Sequence, residues 1–147
     1  MGHKVIVKDY EILHGEGCGW IKIGDVKLRV FISGMRLVHL LYKENYRGKE
    51  IEAELKILPG YVDPVDIKKK MILELTGKDK LVPKYLFIGE VLKNKDKGNG
   101  EITVIFDCGV TLEVNAKKDY FFEKLKEGDY ILVIGFLHIY SVRDVEK

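Results

Sequence analysis

The chain has 147 residues, 25 of them basic and 23 acidic, for a formal net charge of +2; 46% are apolar and 33% charged. At roughly 100–200 residues per domain, that is one ordinary domain or two very small ones, and so large an apolar share excludes a disordered or collagen-like chain. No apolar run approaches the ~18–20 residues of a membrane-spanning helix, and a near-balanced charge excludes the strongly basic coat of a nucleic-acid-wrapping protein.

Met1-Gly2-His3-Lys4 lacks the apolar stretch of a signal peptide and runs straight into a strand-like pattern. A cytoplasmic protein with no membrane partner is expected. Twenty-one of the basic residues are Lys, Gln is absent, Asn occurs four times and Ser twice. This composition resembles that of hyperthermophile proteins, and low-GC codon bias gives the same pattern. Cys18 and Cys108 stand alone, without a Cys-x-x-Cys pair. Both read as small semi-buried hydrophobes. His14 and Cys18 would make half a metal site in a glycine-rich loop, but no second pair is visible, so neither metal nor cofactor is expected.

Residues 4–13 open with a dense apolar run, and 20–23, 26–32 and 49–58 alternate with period two, as half-buried strands do. Met35, Val38, Leu41 and Tyr42 recur at helical spacing, which predicts a short helix over 35–45, with Ser33-Gly34 at its start and Gly48 in the turn after it. Asp63-Pro64 suits a helix N-terminus. A helical turn and then a closing strand near Met71–Leu75 is predicted there. In the second part, 85–92, 102–106, 110–114 and 130–142 read as strands. Tyr120, Phe121 and Leu125 suggest another short helix, and Gly128-Asp129 turns into the last strand.

Laid side by side at an offset of about 80–84 residues, the two parts match: Ile6 with Phe87, Val30 with Val114, Gly48 with Gly128, and the loop 15–19 with 93–100. The predicted fold is mainly β with two or three short helices, built as two β-β-β-α-β halves packed together. The first covers 1–76 and the second 77–147. Each half alone would be marginal in size. A single continuous barrel or sandwich is the competing architecture.

Three strands, a helix and a further strand, with the phrase Glu127-Gly128-Asp129-Tyr130-Ile131-Leu132-Val133-Ile134-Gly135-Phe136-Leu137, resemble the OB-fold, a small five-stranded barrel. The chain thus resembles tandem OB-fold-like proteins. Gly135 suits a sharp barrel bend. The second half has no separate fifth strand after Val142, so either the 130–142 strand bends to serve twice or the halves share strands.

Alternation sorts the faces. Ile21, Ile23, Val26, Leu28, Val30 and Ile32 point to the core, and Trp20, Lys22, Lys27, Arg29 and Phe31 share the other side. Cations interleaved with aromatic rings suit single-stranded nucleic acid, because phosphates meet the charges and bases stack on the rings. The OB-fold resemblance implies the same place, since its second and third strands usually form the binding face. Lys93, Lys95 and Lys97, in a basic loop, would extend the path. The matching face of the second half carries Glu101, Thr103, Asp107, Thr111 and Glu113, which would repel phosphate.

No nucleophile elbow, Walker loop, His-Glu-x-x-His or dinucleotide fingerprint is present, so no enzyme is expected and no catalytic residue is assigned. His39 reads as helix surface or core edge, and Cys108 is the one thiol worth testing for reactivity. The sequence-level expectation is a non-enzymatic module that binds single-stranded RNA or DNA through Trp20, Lys22, Lys27, Arg29 and Phe31. The alternative is a structural or adaptor protein that binds other proteins.

Overall fold

In the computed structural model, which describes residues 2–77, 82–117 and 124–144 and, at 59–60, the backbone alone, the period-two runs are strands. They are β1 (Gly2–Leu13), β2 (Glu16–Ile23), β3 (Val26–Ile32), β4 (Glu50–Val65), β5 (Met71–Glu74), β6 (Lys84–Asp96), β7 (Glu101–Asp107), β8 (Thr111–Lys117) and β9 (Tyr130–Asp144). The helix α1 covers Met35–Lys43 and buries Leu37, Val38 and Leu41, which recur at helical spacing.

The chain divides into two compact units. The first comprises Met1–Lys56, Thr76–Pro83 and Leu137–Lys147; the second, Ile57–Leu75 and Lys84–Phe136. Residues 57–75, expected with the first half, thus lie in the second unit, and the end of β9 lies in the first. In the first unit, β1 pairs with β2, β2 with β3, and β1 with β4, all antiparallel, while β3 runs parallel to the end of β9 through Phe31–His138 and Ile32–Ile139. As β9 also neighbours β4, the circuit β1-β2-β3-β9-β4-β1 closes. The second unit repeats this as β6-β7-β8-β4-β9-β6, with Ile57 of β4 parallel to Val114 of β8 and β5 added along β6. Each unit is a five-stranded OB-like circuit that leaves no free edge among those strands. The fifth strand that the second half lacks after Val142 is supplied by sharing: β4 and β9 each divide between the units.

The internal repeat is visible in hydrogen bonds. Gly48 N–H donates to Val7 O at 2.7 Å and Val7 N–H to Lys49 O at 3.0 Å; Gly128 N–H donates to Val91 O at 2.9 Å and Val91 N–H to Asp129 O at 2.8 Å. Both glycines are left-handed, with φ of 80° and 92°, a conformation that side chains rarely adopt. A bulge follows Val7 in β1 and Val91 in β6. The core of the first unit gathers Val5, Ile21, Leu28, Val30, Ile51 and Leu55; that of the second gathers Phe87, Val104, Phe106, Leu112, Val114 and Ile131, all buried. At about 1.5–3 kcal/mol per large side chain, these interiors supply the main stabilisation.

Three expectations are corrected or fall outside the description. Asp63-Pro64 does not start a helix: β4 continues to Val65, and 66–70 has no regular structure before β5. Among the described residues, α1 is the one helix long enough to carry a face. The helix expected at Tyr120–Leu125 falls mostly on residues outside the described ones.

Candidate functional site

The side of β2 and β3 assigned to nucleic acid has the expected register, with Trp20 opposite Arg29, Lys22 opposite Lys27, and Cys18 opposite Phe31. Its exposure is not as expected. Phe31 is buried, edge-on to His138 at 5.5 Å. Arg29 is only 5% exposed, and it donates from Nη2 to Thr76 Oγ1 at 3.2 Å and Gly77 O at 3.1 Å, with Nη1 3.7 Å from Cys18 Sγ. Trp20 and Lys22 are half-buried, and Lys27 is exposed. Lys93, Lys95 and Lys97 are exposed and lie in the second unit. A phosphate cannot reach a guanidinium that is itself buried and already bonded to protein acceptors, and a base cannot stack on a ring already covered. The nucleic-acid reading is corrected on this ground. Cys108 is also sealed: its Sγ donates to Val110 O at 3.3 Å, and burial pushes the thiol up to about 12, far from a reactive thiolate.

The first unit instead presents a groove between α1 and the end of β9, lined by Arg36, Leu37, His39, Leu40, Lys43, Tyr140, Ser141 and Val142, with a volume of about 680 Å³. Positions 36, 39, 40 and 43 fall on one side of the helix, opposite the buried Leu37, Val38 and Leu41. Arg36, His39 and Lys43 are exposed, and Arg36 and Lys43 make the rim cationic; Leu40 and Val142 are half-buried and form an apolar floor. Tyr140 is held in place from its own strand and from β4: His138 stacks beside it at 5.6 Å, and Lys56 Nζ lies 4.7 Å over its ring. His138 Nε2 is buried without a hydrogen-bond partner among the described residues, and burial lowers its pKa. Glu52 on β4 is taken up by Arg143 of β9 at 2.5 Å, which holds that carboxylate below its ordinary range. The rim is therefore positive, with hydroxyl donors at Tyr140 and Ser141.

Two other grooves differ in charge. One, of about 420 Å³, is lined by Tyr10, Glu11, Ile12, Leu41, Tyr42, Glu44, Asn45 and Arg47. Its arginine is engaged, 2.6 Å from Asp9 and stacked 4.0 Å over Tyr10, and two glutamates remain. The other, in the second unit, sets Asp66 and Asp129 against Lys124. Neither suits an anion. Sequence reasoning left Arg36, Lys43, Tyr140 and Ser141 unassigned, although Arg36 and Lys43, at i and i+7 with His39 between them, are a readable polar stripe with two cations.

No helix among the described residues is long and apolar enough to cross a membrane. No family model matches the chain, and no curated protein matches it. Among solved structures, the chain is similar to the cytoplasmic molybdate-binding protein ModG with molybdate bound. The TM-score is 0.54 and the identity 15%, over 95% of this chain and 96% of that one. At that identity the likeness shows a shared fold, along nearly the whole of both chains.

Proposed function

We propose that this chain is a non-catalytic binding protein for a small oxyanion, of the class that includes molybdate, and that the groove between α1 and the end of β9 holds it. This replaces both earlier readings, nucleic-acid binding and protein adaptor. The observation that carries it is that one groove is lined by the cations Arg36 and Lys43, by His39, and by the hydroxyl-bearing Tyr140 and Ser141. A guanidinium offers a planar fork of donors to two oxygens of one anion, an ammonium adds a point charge, and hydroxyls complete the shell. The similarity to a cytoplasmic protein that binds molybdate supports the ligand class, and a cytoplasmic location goes with it.

Isothermal titration with sodium molybdate, sulfate and phosphate tests the proposal. The expected result is saturable binding of at least one of them, weakened about tenfold or more in Arg36→Ala and in Lys43→Ala, because a charge-assisted hydrogen bond contributes about 1.5–3 kcal/mol. No binding of any of the three, or wild-type affinity in both variants, would overturn it.

A further inference from the structure

The groove is larger and more apolar than a bare oxyanion needs. Its 680 Å³ falls within the roughly 300–1,000 Å³ of pockets that enclose drug-sized organic ligands. Beneath the rim lie Leu40 and Val142, both half-buried, and the edge of Tyr140, which is 43% exposed. A four-oxygen anion bound to Arg36 and Lys43 would leave this floor wet. His138 stacked at 5.6 Å and Lys56 Nζ 4.7 Å over the ring steady Tyr140 as a wall of the groove.

We infer that the ligand is an organic oxyanion, with a phosphate-like head at Arg36, His39 and Lys43 and a compact apolar body on Leu40 and Val142. This rests on the oxyanion reading of the same groove and adds the body. Polar groups at the rim would fix orientation, and apolar area on the floor would add affinity, which is the usual division of labour in a small-molecule pocket.

The test compares phenyl phosphate with inorganic phosphate by titration at the same pH and salt, on the whole chain. Phenyl phosphate should bind about tenfold tighter, the effect of moving a ring-sized apolar surface out of water. Leu40→Asn and the near-isosteric Val142→Thr should each bring the ratio of the two affinities towards one. Val142→Thr serves if Leu40→Asn lowers the melting temperature. Equal affinities in the wild type, or a ratio that both variants leave unchanged, would overturn the inference while leaving the oxyanion reading in place. Failure of inorganic phosphate, molybdate and phenyl phosphate alike would overturn both.

Discussion

Arg29 shows why alternation alone misplaces a charge. Period two says which side of β3 the residue is on, and that side is as expected; it does not say what covers the side. In this chain the cover is Thr76 and Gly77 over Arg29, and β9 over Phe31, both far away in sequence. Arg29→Met removes the charge-assisted hydrogen bonds that a buried guanidinium makes to Thr76 and Gly77. A loss of about 2–3 kcal/mol in urea unfolding is expected. A change within about 0.5 kcal/mol, as surface substitutions give, would contradict the burial of this side chain. The cationic groove was partly legible at this scale, since Arg36, His39 and Lys43 stand at helical spacing. Tyr140 and Ser141 were not, because the long-range pairing of β9 with β3 and β4 brings that strand into the first unit.

Among the elements, the strands and α1 were legible because hydrophobic period and turn residues agree locally. Val26–Ile32 was read with its observed bounds. The fate of Asp63-Pro64 was not, because β4 runs on through a proline that a capping rule assigns to a helix. Gly135, expected at a bend, sits where two strands come close together. A side chain there would run into the Leu58 carbonyl and stand 2.7 Å from Ile57 Cγ2, so β9 passes close over β4 within the second unit. Gly135→Val should lower the urea midpoint by the equivalent of about 1–3 kcal/mol, as overpacking does; an unchanged midpoint would show that the strands are not in close approach. In the same unit, Lys70 Nζ at 2.7 Å and the Gly109 N–H at 2.9 Å hold Asp107 below its ordinary 3.8. Because the folded value is the lower one, the stabilisation is complete above about pH 4 and is lost as pH falls through the folded value. Asp107→Asn should therefore be less stable than the wild type at neutral pH, with the difference shrinking in acid. A difference that grows in acid would contradict the pairing.

For the whole molecule, the duplicated plan was legible from Gly48 and Gly128 and from the matched apolar positions, and the same residues carry matching hydrogen bonds. The boundaries of the units were not, since β4 and β9 each change unit part-way along a continuous strand, and no break in composition marks Lys56 or Phe136. Function was the least legible, because a barrel circuit is compatible with many ligands and only the site distinguishes them. The central claim is that the groove of α1 and β9 receives an oxyanion. Its most direct test is amide chemical-shift mapping by NMR during titration with molybdate. Saturable shifts confined to Arg36–Lys43 and Tyr140–Val142 are predicted. Saturable shifts confined to other elements, with those two segments unmoved, would contradict it.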